Sequence, residues 1–118
     1  MRGLLLFALA AVAAGGAVAH PLPRAATPAP NAVLAASPGE IRISFSESLV
    51  AAFSGLEVKD AAGKDVPTGP AAVNPKDDKE LIAPVKASLA PGTYTVMWRA
   101  VGADTHHIAG HYSFQVKP

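Results

Sequence analysis

One heptapeptide constrains the fold more than any other stretch. Thr93-Tyr94-Thr95-Val96-Met97-Trp98-Arg99 places Tyr94, Val96 and Trp98 on one face of an extended chain. A period of two belongs to a strand with one side buried. Glu40-Ile41-Arg42-Ile43-Ser44-Phe45-Ser46 repeats the pattern with Ile41, Ile43 and Phe45. Ile108 to Val116 repeats it again with Tyr112, Phe114 and Val116. Leu56-Glu57-Val58-Lys59 alternates briefly before a predicted turn at Asp60-Ala61-Ala62-Gly63, and Pro91-Gly92 marks another turn. No stretch carries a good amphipathic helical period. Short strands at this turn spacing predict an all-β, antiparallel sandwich.

The segments between these strands are less regular. Residues 21–30, PLPRAATPAP, should be extended, because proline fixes φ and removes the amide donor. Asn31 to Ala36, bounded by Pro30 and Ser37-Pro38-Gly39, reads as a first strand. Residues 67–80 contain Pro67, Pro70 and Pro75 and read mostly as loop, with Lys76-Asp77-Asp78-Lys79-Glu80 as a solvated turn. Leu81-Ile82-Ala83 predicts a short strand.

The N-terminus has the pattern of a secretory leader. Arg2 precedes an apolar run that starts at Leu4 and closes in Ala17-Val18-Ala19, which fits small-x-small cleavage. Gly15-Gly16 and the nearby Pro21 and Pro23 argue against a membrane anchor. The expected division is a cleaved signal peptide over residues 1–19 and one small domain over residues 20–118, outside the cytoplasm. The formal charge of +1 includes Arg2, so the domain is neutral in its side chains. Neutrality leaves no basic excess for nucleic acid or anionic lipid. With no cysteine, disulfides, thiolate metal sites and thiol catalysis are excluded.

Histidine supplies the remaining chemistry. His106, His107 and His111 lie close together beside Asp104, between the two best strands. In extended geometry Asp104 and His106 point the same way, whereas His107 and His111 take the other parity. Cleavage after Ala19 makes His20 a terminal residue, which offers an α-amine and an imidazole to one ion. The reference pKa of that amine is about 8, so it deprotonates more easily than lysine. Together, His20, Asp104 and His106 offer three nitrogens and one oxygen. That set suits Cu(II) in a tetragonal array; Zn(II) can use the same side chains, and Ca(II) needs more oxygens. The expected mature domain has a single thioether, Met97 in a strand, which reads as a packing residue, so the residues favour Cu(II) over a dedicated Cu(I) site.

These features resemble the CopC-like periplasmic copper-binding proteins of bacterial copper resistance. The resemblance is carried, in order, by His20, Thr27-Pro28, Phe45-Ser46-Glu47, Phe53-Ser54, Asp60-Ala61-Ala62-Gly63, Gly92 to Arg99, Asp104-Thr105-His106 and Phe114-Gln115-Val116. It implies an Ig-like Greek-key β-sandwich or barrel of about seven strands. It also implies one Cu(II) per chain on His20, Asp104 and His106. The methionine-rich Cu(I) loop of some members has no counterpart in residues 67–80. Pro21, where the family has a small residue, is expected to stiffen the arm. His107, where a proline is common, is an alternative ligand or a group behind the ligands. His111 reads as a surface strand residue.

The resemblance further implies a non-enzymatic role in copper homeostasis in the periplasm. Such a carrier or buffer would pass Cu(II) to a partner, such as an inner-membrane transporter of the CopD type or another periplasmic copper protein. Two alternatives are a plain β-sandwich interaction domain and a copper-dependent oxidative enzyme. The terminal histidine of copper-dependent polysaccharide monooxygenases suggests the second, but a carboxylate filling the coordination sphere and the scarcity of exposed aromatics weigh against it. Intact mass measurement of exported protein is expected to show a chain beginning at His20. A chain beginning elsewhere would remove two of the four donor atoms.

Overall fold

The computed structural model describes residues 20–118; the expected leader lies outside the described residues. Nine strands form two sheets. In chain order they are β1 (Pro23–Thr27), β2 (Val33–Leu34), β3 (Glu40–Phe45), β4 (Gly55–Lys59), β5 (Asp65–Val66), β6 (Ala72–Asn74), β7 (Asp77–Pro84), β8 (Gly92–Val101) and β9 (His107–Val116). One turn of 3-10 helix, Ala51–Phe53, joins β3 to β4. The first sheet has the order β1-β3-β7-β6, and the second β2-β9-β8-β4-β5. Every pairing is antiparallel except β2 with β9.

Alternation along the strands explains why two sheets pack. In β3, Ile41, Ile43 and Phe45 are buried while Glu40, Arg42 and Ser44 are only partly so. In β8, Tyr94, Val96, Trp98 and Ala100 face inward, and Phe114 and Val116 of β9 meet them. Leu81 and Ala83 of β7 and Leu56 and Val58 of β4 complete the core. Tyr94 stacks on Phe114 at a centroid separation of 5.6 Å, and its hydroxyl donates to the Ala90 carbonyl at 2.6 Å. Trp98 meets Phe45 edge-on at 5.3 Å. Burying each large side chain contributes roughly 1.5–3 kcal/mol, which a chain without disulfides requires.

The all-β sandwich expected from the sequence is present, and some boundaries differ. Residues 72–84 form the β6–β7 hairpin rather than mostly loop. The polar half of β7 remains a strand because Glu80 accepts hydrogen bonds from Arg42 Nη1 at 2.8 Å and Asn74 Nδ2 at 2.9 Å. These neighbours stand on β3 and β6, far away or across a turn, so local polarity misleads. Only Val33–Leu34 of the expected first strand is a strand. The Pro-rich segment is extended as expected and pairs with β3 at the sheet edge, where a missing amide donor is tolerated. The turn after β4 is closed by Asp60, whose Oδ1 accepts from the amides of Ala62 and Lys64, both at 2.9 Å.

Gly110 sits directly across from Trp98. A Cβ at Gly110 would lie 2.5 Å from Trp98 Cζ2, so the indole occupies the space a side chain would need. Gly110→Ala is expected to destabilise the domain by about 1–3 kcal/mol through overpacking. Urea unfolding followed by Trp98 fluorescence measures this, and an unchanged midpoint would contradict it.

Candidate metal centre

The centre lies where two distant parts of the chain meet at one end of the sandwich. The first part is the connection from β8 to β9, residues 102–106. The strands are in register up to the Val101–His107 pair, so this short connection must reverse the chain. The amide of Thr105 donates to the Gly102 carbonyl at 2.9 Å and closes a turn. Thr105 has φ 67°, a left-handed conformation that β-branched residues rarely adopt. The expected extended geometry therefore does not hold here. Asp104 and His106 converge because Thr105 turns left between them. The carboxylate then accepts twice from His106, through the backbone amide to Oδ1 at 3.1 Å and through ring Nδ1 to Oδ2 at 2.9 Å.

The second part is the N-terminal arm before β1. Ser46 holds it at the end of β3. Its amide donates to the Leu22 carbonyl at 2.9 Å, its Oγ accepts from the Leu22 amide at 2.9 Å, and the same hydroxyl donates to the His20 carbonyl at 3.2 Å. Pro21 is fully buried. A Cβ at Gly102 would stand 3.0 Å from Pro21 Cδ and 3.3 Å from Asp104 Oδ1, so a bare backbone makes room for both groups. The stiff arm expected from Pro21 is thus an anchored one. Ser46 falls in the Phe45-Ser46-Glu47 motif, but nothing local shows what it holds, and Gly102 carries no local pattern at all; their partners lie far along the chain.

Pro21 and Ser46 deliver His20 to the turn. His20 Nδ1 lies 3.4 Å from Asp104 Oδ2, and the rings of His20 and His106 meet edge-on with centroids 4.6 Å apart. His20 Nδ1 is buried and has no hydrogen-bond partner. Among the described residues, His20, Asp104 and His106 form a group whose donor atoms all lie within 4.8 Å of one another. An ion bonded at about 2.0–2.2 Å to nitrogen and oxygen needs donors about 3–4 Å apart, so a small contraction suffices. An unpaired buried nitrogen beside a carboxylate is the vacancy in hydrogen bonding that a cation would fill. The side chains are accessible, at 38% for His20, 27% for Asp104 and 58% for His106. His107 and His111 are both exposed on the outer face of β9 and stand outside this group.

The electrostatics favour a cation as well. Hydrogen bonds from the ring and then the backbone amide of His106 hold the Asp104 carboxyl below the usual carboxylate range, and the nearby imidazoles act in the same direction. Partial desolvation opposes them and does not win. The acid is therefore ionised at neutral pH. Because its folded-state pKa is depressed, its contribution to stability is present above the unfolded carboxylate pKa and is lost as pH falls through the lower folded value.

Thr105 gives the sharpest test of this geometry. Thr105→Gly permits the same φ without a Cβ clash and is expected to preserve metal affinity. Thr105→Pro fixes φ near −65° and deletes the turn's amide donor, and is expected to lower affinity at least about tenfold. Equal affinities for both variants by copper titration would show that the left-handed turn does not position the donors.

Comparison with known proteins places the domain in a family. The CopC domain model matches residues 24–117. The chain is 44% identical over 90 residues to Protein YobA of Escherichia coli strain K12, covering 76% of this chain and 73% of that protein. It is 38% identical over 117 residues to copper resistance protein C of Pseudomonas syringae pv. tomato, covering 95% and 92%. The crystal structure of CopC from Methylosinus trichosporium OB3b superposes with a TM-score of 0.78 at 30% identity, over 84% of this chain and 95% of that one. PcoC of Escherichia coli, described as a methionine-rich copper resistance protein, superposes with a TM-score of 0.76 at 36% identity, over 84% and 100%. With a family model spanning most of its length, and with copper resistance proteins among its relatives, the chain belongs to the CopC family.

Proposed function

We propose that this protein is a periplasmic Cu(II) carrier or buffer of copper homeostasis, binding one ion through His20, Asp104 and His106. The observation that carries the reading is the seating of the His20 arm against Asp104 and His106, with His20 Nδ1 buried and unpaired. Within residues 1–118 the His20 nitrogen is a peptide amide. Removal of the leader converts it to an α-amine and adds the fourth donor. Two nitrogens from His20, one from His106 and one Asp104 oxygen make the mixed N,O set that Cu(II) prefers.

Release to a partner follows from the different anchoring of the ligands. Pro21 is buried and Ser46 holds the arm, whereas His106 is the most exposed ligand and lies on a short turn. An incoming donor therefore displaces His106 first, and the ion leaves by stepwise exchange. An inner-membrane transporter of the CopD type or another periplasmic copper protein is the receiving partner in this scheme. The centre needs no turnover chemistry, and the role is not that of an enzyme.

Protons compete for every nitrogen donor. Asp104 is held ionised by His106, so its protonation does not begin the loss of affinity. Affinity is expected to fall on acidification from about pH 8 to about pH 5, because nitrogen donors must be deprotonated to bind, while the carboxylate remains charged. Cu(II) titration of protein beginning at His20, read by electron paramagnetic resonance, should show a 1:1 complex with coupling to more than one nitrogen. His106→Ala and His20→Ala should each weaken it about 100-fold or more without unfolding the domain. Parent-like binding by both variants, or a flat pH profile from pH 5 to 8, would refute the ligand set.

A further inference from the structure

Met97 does not pack in the core. It is 42% exposed, on the outer face of β8, opposite to the face that buries Val96 and Trp98. Directly across from it on β9 is His111, also exposed. On the other side Glu57 of β4 stands opposite Met97 and is exposed too. A carboxylate, a thioether and an imidazole thus form one row across three strands. The neighbouring pair in the same register, Thr95 and Ser113, brings its hydroxyls to 3.5 Å, so side chains facing each other here do meet.

We propose that Met97 and His111 form a second metal site, selective for a soft monovalent cation, Cu(I), and separate from the cupric centre. Three observations support it. First, thioether sulfur selects Cu(I) over harder divalent ions, and imidazole accepts either. Second, the spacing fits. Facing residues have Cβ atoms about 4.5–5.5 Å apart, and an ion joining nitrogen and sulfur at about 2.0 and 2.3 Å needs donors roughly 4 Å apart. Two side chains rising in parallel from adjacent strands meet that need with little rearrangement, and two donors on opposite sides suffice for a linear d10 ion. Third, the site is open to solvent. The sheet order leaves β9 beside β2 only at Gln115 and Val116, so no strand is hydrogen-bonded to β9 at His111, and β1 of the other sheet meets it only across a cavity that Arg24 also lines. Glu57 stands on the same outer face opposite Met97, an anionic residue that favours a cation nearby without serving as a soft ligand. Asp104 and His106 lie past the far end of β8, so the two sites share no ligand.

The chain offers a direct probe. Its only methionines are Met1 and Met97, so a protein that begins at His20 shows one methionine methyl resonance. The protein is labelled at that methyl carbon and titrated anaerobically with acetonitrile-stabilised Cu(I), and separately with silver nitrate as a redox-inert substitute. One equivalent should shift the Met97 methyl signal. The shift should persist in His20→Ala/His106→Ala, because those residues belong to the other centre. His111→Gln should weaken binding at least tenfold, and Met97→Leu, a surface change of similar volume, should abolish the 1:1 step. An unmoved methyl signal, a shift unaffected by His111→Gln, or a shift lost in His20→Ala/His106→Ala would each overturn the proposal. The outcome is independent of Cu(II) binding at His20, so failure of either site can be told from failure of the other.

Discussion

Ten consecutive residue pairs between β8 and β9 hold the molecule's architecture in place. That register decides three things at once. On the inner face it puts Phe114 beside Tyr94 and Gly110 beneath Trp98, which fills the sandwich. On the outer face it sets His111 against Met97. At the end it leaves only residues 102–106 to turn the chain, which forces Asp104, Thr105 and His106 into a tight reversal. A slip of one residue would exchange the faces and undo all three. Pairing between neighbours in sequence is strongly specified here because one side is buried and mostly apolar.

The candidate metal centre adds a second requirement, a long-range one. Its arm is placed by the opposite sheet, through the Ser46 contacts at the end of β3 and the pairing of β1 with β3. The hairpin turn belongs to the other sheet. The centre therefore reports on how the two sheets are docked, with Pro21 wedged against Gly102 as the point of contact. Burial fixes the arm at Pro21, while His106 stands exposed on the turn.

Much of this was legible in the amino-acid sequence. The alternation of Ile41, Ile43 and Phe45 and of Tyr94, Val96 and Trp98 named the buried faces, because strand parity is a local property. The same parity turns Met97 and His111 outward, although the apolar character of Met97 alone reads as that of a packing residue. Their position opposite each other needed the register, which no local pattern reveals. The polar half of β7 read as loop because its support comes from Arg42 and Asn74. Asp104 and His106 were singled out by spacing, but extended geometry is not what joins them. A left-handed threonine has no signature in the sequence, and neither does the space left by Gly102 for a proline from the other end of the domain.

The distance in sequence between His20 and Asp104 has a consequence for biogenesis. Closing so long a loop costs entropy that only the completed sandwich can offset. In the unfolded chain His20 lies far in sequence from Asp104 and His106, so the three side chains share no geometry. The three-residue cluster exists only once the two sheets are docked, so in the proposed role metal capture would distinguish a finished molecule from an unfinished one.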